Sequence, residues 1–240
     1  MTRIDMTTQE WHDLIVPVLP HASDDADLPP LGHIRVEAAR QVLYAVASDR
    51  YTLGVSRHVL GEAPGDTAIH IDRRDAKDML KLFRYSKTED PQLKIVIDKV
   101  RIATGRDDLT GVGLGLTIES EMGTRVTLND VRDHLTDHPL VSWRKTIAGV
   151  VFRDLEPASP SLLLSPEFMA RWSAACRHPG ERVKFFAGPG ATDPILMLVE
   201  DNFAGVWQPV GHLDAGSPEL LNGSPWRAET RNRDDETEAA

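Results

Sequence analysis

The chain has 240 residues, 41% of them hydrophobic and 27% charged, with a single cysteine. At roughly 100–200 residues per domain this is one large domain or two small ones, and the composition excludes global disorder. Lys and Arg total 27 against 37 Asp and Glu, a formal net charge of −10. That excludes a protein coating nucleic acid with its whole surface, but not one with a local basic face.

Cys176 alone can make neither an internal disulfide nor a thiolate metal site. The start of the chain, MTRIDMTTQEWHDL, lacks the basic and apolar regions of a signal peptide. Apolar stretches such as Ile195–Val199 are too short to cross a bilayer. A cytoplasmic location without membrane association is expected.

Met6–Leu19 places Trp11, Leu14, Ile15, Val18 and Leu19 at helical spacing, with Thr7 or Thr8 as cap and Glu10 in the first turn. An acidic, proline-rich loop follows, Ser23–Pro30. His33–Ala38, Val42–Ala47, Tyr51–Val55 and Thr67–Ile71 read as strands. Asp72 is placed to cap a helix from Arg73 to about Tyr85, with Ala76, Met79, Leu80 and Phe83 on one face. Leu93–Ile97, Val100–Ala103 and Val112–Ile118 read as three further strands.

The first 120 residues thus read as β-α-β-β-β taken twice, an internal repeat of about 65 residues. The unit returns a third time. Ser161–Leu164 is a short strand, and Ser165 caps a helix with Pro166 at its first position and Phe168, Met169, Trp172 and Ala175 as its stripe. The strands Arg182–Ala187, Ile195–Val199 and Phe203–Val210 complete it. Between the second and third units, Glu121–Arg153 has room for a short helix, Leu128–His138, capped by Thr127 and stopped by Pro139. The tail, Asp214–Ala240, carries seven acids and three bases and reads as mostly disordered, with room for a structured insertion around Leu220–Trp226. The predicted organisation is 1–120, two units; 121–153, linker; 154–212, a further half-unit; and 213–240, tail.

Residues 73–87 hold the strongest functional signal. Arg73, Arg74, Lys77, Lys81, Arg84 and Lys87 stand against Asp75 and Asp78, a local balance of +4 in an acidic chain. Spacings of three and four put most of these bases on one helix face, opposite the apolar set. Such a stripe is either a solvated face or a surface for phosphates, touched without reading bases. The third helix adds Arg171 and Arg177.

Enzyme-like constellations are poor. His134 and His138 have helical metal-pair spacing, but the HExxH glutamate is missing and Pro139 ends the segment. Gly111, Gly113 and Gly115 alternate as in a strand and precede no helix, unlike a phosphate-cradling turn. Gly188-Pro189-Gly190 reads as a hairpin turn. Arg177 and His178 beside Cys176 are placed to lower its pKa, yet no partner set accompanies it, which favours an inert thiol. No serine nucleophile elbow occurs. The expectation is a non-enzyme without cofactor or metal.

Four segments carry a family resemblance: Leu28–Val36; Leu43–Leu53, reading LYAVASDRYTL; His138–Lys145, reading HPLVSWRK; and Asp193–Val210, ending VWQPV. In this order they resemble the bacterial DNA sliding clamp, the beta subunit of DNA polymerase III, over about residues 1–212. Two departures stand out. The clamp subunit has three domains of two half-units each, whereas this chain reads as three half-units. A tail also follows where clamps stop.

The resemblance implies an α+β sliding-clamp (processivity) fold. It also implies a homo-oligomer, four copies if twelve half-units close a ring. It turns the stripe of Arg73, Arg74, Lys77, Lys81, Arg84 and Lys87, with Arg171 and Arg177, toward double-stranded DNA bound non-specifically. It implies a groove for short peptides of polymerase or repair proteins, at Leu140, Trp143, Arg144, Val206, Trp207, Pro209 and Val210. Taken singly, Trp143 and Trp207 also suit core packing. The alternative is a clamp-derived interaction module that binds no DNA.

Overall fold

The computed structural model describes residues 1–25, 27–103, 110–129, 139–151, 153, 155–157, 166–188, 190 and 193–208. The first unit is β1 (Thr2–Thr7), α1 (Thr8–Ile15), β2 (His33–Ala39), β3 (Val42–Ser48) and β4 (Thr52–Val59). The second is β5 (Thr67–Asp72), α2 (Arg73–Leu82), β6 (Gln92–Ala103), β7 (Thr110–Ser120) and β8 (Arg125–Asn129). Then come α3 (Trp143–Val151), β9 (Glu156–Pro157), α4 (Pro166–Ser173), β10 (Val183–Ala187), β11 (Ile195–Val199) and β12 (Phe203–Trp207).

Local chemistry starts both early helices. Thr7 Oγ1 accepts from the Glu10 amide at 3.1 Å while Glu10 Oε2 accepts from the Thr7 amide at 2.7 Å, a reciprocal capping box. Asp72 accepts from the Arg74 amide at 2.7 Å. The first strand of each unit then crosses to the other: β1 pairs with β6, and β5 with β2. This exchange makes a four-stranded sheet, β1-β6-β7-β8, and half of an eight-stranded one, β5-β2-β3-β4-β12-β11-β10-β9. The third unit joins the first edge to edge, β12 against β4.

Strand alternation splits the core at this seam. Toward one face lie Phe203, Trp207, Met197 and the helix residues Trp11, Leu14, Met79 and Trp172. Toward the other lie Leu53, Val55, Leu196 and Val206, covered by Leu140, Trp143 and Val150. The α3 segment thus packs on the sheet face opposite α1 and α4.

Several expectations are corrected. The N-terminal residues form β1, with Ile4 and Met6 buried. The first helix stops at Ile15, and Leu19–His21 is a 3-10 turn. The second stops at Leu82, although Phe83 stays buried. Leu93–Ile97 and Val100–Ala103 are one strand, because β6 keeps register with β7 straight through Asp98 and Lys99. Thr127 and Leu128 pair with β7 as part of β8, so they neither cap nor begin a helix. The residues between 130 and 138, Ser161–Leu164, Ser165 and the tail lie outside the described residues.

Candidate functional site

A cavity of about 570 Å³ opens where the seam meets α3. Leu53, Leu140, Trp143, Val150, Pro194 and Val206 line it. Its other wall is the turn between β3 and β4, where Asp49 Oδ1 accepts from the Tyr51 amide at 3.1 Å and the Thr52 amide at 2.7 Å. Arg50 sits in that turn with φ +84°. Arg50, Lys145 and Arg153 line the cavity and, among the described residues, no Asp or Glu does, although Arg153 pairs with Asp193 at 4.0 Å. The arrangement is an apolar cleft with a basic rim, suited to an apolar side chain flanked by negative charge.

Of the seven groove residues predicted, Leu140, Trp143 and Val206 line this cavity. Trp207 does not: alternation along β12 turns it to the opposite face, where it stacks on Phe168 at 5.0 Å. Arg144 supports the site from behind. It lies over the Trp143 ring at 4.2 Å and the Tyr44 ring at 5.0 Å, and donates to Glu37 at 2.5 Å. Burial pushes the Glu37 carboxyl up, but Arg35 and Arg144 outweigh it and hold it below its ordinary value. Pro209 and Val210 lie outside the described residues. Sequence reasoning missed the turn residues Arg50–Leu53, Lys145 of α3 and Arg153 beyond its end, although Ser48–Leu53 sits inside one of the segments that carry the resemblance.

The third unit is clamped to the turn from the other face. Arg171 on α4 pairs with Asp49 and with Glu167, the latter at 3.5 Å. Asp49 also accepts from Thr52 Oγ1 at 2.8 Å. With its proton so committed, Thr52 Oγ1 accepts from His21 Nδ1 at 3.0 Å. His21 is fully buried and packs tilted against Trp172, with ring centroids 4.4 Å apart and planes 39° from parallel. Burial drives its pKa down to about 3, so the ring is neutral.

The basic stripe stands apart from the cavity and, because α2 ends at Leu82, Arg84 and Lys87 lie beyond the helix on which they were expected. Arg74, Lys77, Lys81, Arg84 and Lys87 are exposed. Lys81 pairs with Asp78 at 2.8 Å, and Arg84 donates to the Lys81 carbonyl. Arg73 is partly buried and pairs with Asp24 at 3.3 Å. The two arginines of the third unit are held in internal contacts, Arg171 as above and Arg177 with Asp13 at 3.2 Å and with Tyr85. The ends of α1, α2 and α4 therefore meet at Arg177. Burial, then Glu181, pushes the Cys176 thiol up, so its basic neighbours do not activate it and it is the inert thiol expected. His134 and His138 lie outside the described residues. Among the described residues no three His, Cys, Asp or Glu side chains come together as a metal ion would need, and no helix is long and apolar enough to cross a membrane.

No protein-family description matches the chain, and no curated protein matches it by sequence. Solved structures do resemble it. The DNA polymerase III beta subunit of Thermotoga maritima superposes with a TM-score of 0.58 at 11% identity, over 88% of this chain and 66% of that one. The DNA polymerase sliding clamp of Pseudomonas aeruginosa, solved with a ligand, gives 0.60 at 13%, over 94% and 68%. That of Bacillus subtilis gives 0.56 at 14%, over 88% and 64%. The fold is that of a sliding clamp, and the chain spans about two thirds of the length of these proteins.

Proposed function

We propose that this chain, clamp-like in fold, is a scaffold that tethers replication or repair proteins by seating a short apolar peptide of each in the cavity between the seam and α3. One observation carries the reading: β4 and β12, well over a hundred residues apart in the chain, together with α3 build one apolar cleft lined, among the described residues, by cationic side chains and by no acid. An aromatic floor such as Trp143 suits peptide anchors, which give most of the energy in such grooves. The experiment is selection from a displayed library of random ten-residue peptides. Enriched sequences should combine apolar anchors with acidic neighbours. They should lose binding to Gly149→Glu, whose new side chain starts in open space on α3 and projects charge at the cavity it lines. No enrichment, or equal binding to the variant, would reject the site.

The exposed bases of α2 and of the segment just after it favour a second element, non-specific contact with duplex DNA through phosphates. In this reading several copies associate around or along DNA, as the named structural relatives are DNA polymerase clamps. The module that binds partners without DNA is the alternative, and retention on DNA separates the two.

A further inference from the structure

The cavity has a candidate occupant in the chain itself. Gln208, the last described residue, lines the cavity and is fixed there by its amide, which donates to the Tyr51 carbonyl at 2.8 Å. The segment beyond it therefore starts at the rim. Residues 209–226 contain Asp214 and Glu219 and no Lys or Arg, and they bring together Leu220, Leu221 and Trp226. That is chemistry complementary to the site: apolar anchors for Trp143, Val150 and Val206, and carboxylates for Arg50 and Lys145, Arg153 already pairing with Asp193 at 4.0 Å. Leu220 lies twelve positions beyond Gln208. As a coil this stretch spans about 20 Å, enough to return to the cavity. Such a short tether presents the anchors at an effective concentration on the order of millimolar.

We propose that Glu219–Trp226 docks in the chain's own cavity and competes there with partner peptides, so that a partner must displace the tail to bind. This rests on reading the cavity as a peptide site. Like that reading it draws on apolar anchoring with charge complementarity, but it assigns a specific resident and a regulation.

The test uses the full chain, a triple variant (Leu220→Ser, Leu221→Ser, Trp226→Ser) and Gly149→Glu. Amide hydrogen exchange at 219–226 should be slowed at least about tenfold in the wild type relative to an unstructured peptide, with that protection lost in both variants. A fluorescein-labelled peptide of residues 217–228 should bind the triple variant about tenfold more tightly than the wild type, where the resident tail competes. Exchange at the unstructured rate in the wild type, or protection that survives Gly149→Glu, overturns the proposal. Protection that grows with protein concentration overturns its intramolecular form, because a second copy then supplies the tail. If library-selected peptides bind but the tail peptide does not, this inference fails while the peptide site stands. If neither binds, both fail.

Discussion

Gly54 of β4 and Gly205 of β12 face each other directly across the seam that joins the third unit to the first. Neither has space for a side chain. A Cβ on Gly54 would strike the His21 ring, and one on Gly205 would strike the Trp172 indole. These two rings pack against each other in a tilted contact over the glycine pair and are fully buried. Gly205→Ala and Gly54→Ala should each destabilise the protein by about 1–3 kcal/mol through overpacking, the reverse of the small gain such a change gives at an unstrained site. Gly61→Ala, where a Cβ meets nothing, is the control and should show no loss. Urea unfolding measures all three. Because the two rings touch, the double variant should depart from additivity.

Much of this architecture was legible in the sequence, and the exceptions have physical reasons. The paired units were visible because Ile34, Val36 and Ala38 alternate and Thr7 and Asp72 are strong caps. The β1 strand was legible only as the strand that the repeat requires, its residues unassigned, since only Ile4 and Met6 mark its buried side between Arg3, Asp5 and Thr7. The α3 helix was missed because Thr146, Ile147, Gly149, Val150 and Val151 are weak helix formers; burial of Trp143 and Val150 over the seam decides its state. The cavity was half legible. Leu140, Trp143 and Val206 were named, but the pairing of β4 with β12 spans about 150 residues and leaves no local pattern. Trp207 was placed in the groove because strand phase cannot be assigned until the partner strand is known.

The Arg171–Asp49 pair ties α4 to the turn that walls the cavity. Both side chains are mostly buried, and Asp49 also organises the Tyr51 and Thr52 amides. Arg171→Ala should cost about 2–3 kcal/mol, chiefly by leaving the aspartate without its cation. Arg171→Lys should recover part of this, since a lysine restores charge but not the guanidinium fork. If Arg171 served DNA alone, chemical denaturation would register no loss.

Arg144 makes a separate prediction at the back wall. It stacks on Trp143 and Tyr44 and donates to Glu37. Arg144→Ala should lower stability by about 1–2 kcal/mol, from lost cation–π contact and a lost charge-assisted hydrogen bond. It should also let the Glu37 pKa rise, as one of two cations that hold it down is gone. Carbon-detected NMR titration of the glutamate carboxyls reads this shift directly.

His21 predicts a pH dependence. Its ring is neutral in the fold, with a pKa of about 3 against an ordinary 6.5, because burial penalises the charged form; Asp49 pulls it slightly up and Arg171 slightly down. Between these values the unfolded chain binds the proton and the native chain does not, so unfolding becomes easier as pH falls. The contribution is fully present above pH 6.5 and is lost downward through the window to about 3. The slope is at most about 1.4 kcal/mol per pH unit. Urea unfolding of the wild type and His21→Phe across pH 4–8 isolates it. The variant loses the Thr52 hydrogen bond at every pH, but its stability should fall less steeply below pH 6.5. Parallel curves would show that His21 is not the titrating group.

The α2 face sets the last prediction. Lys77, Lys81 and Arg84 are exposed, whereas Arg73 is taken by Asp24 and Arg177 by Asp13. If α2 contacts phosphates, replacing Lys77, Lys81 and Arg84 with Glu should weaken duplex binding and flatten its salt dependence. Each lost phosphate contact lowers the slope of log K against log salt by about 0.9. Lys81 already pairs with Asp78, so its single variant should have the smallest effect of the three. The control is Lys94→Glu with Lys99→Glu, two exposed lysines of β6, which alters net charge without touching α2. A stripe that binds DNA predicts a clear difference between the two sets. Equal loss in both would reduce the effect to overall charge, and no binding by the wild type would favour a scaffold that holds proteins alone.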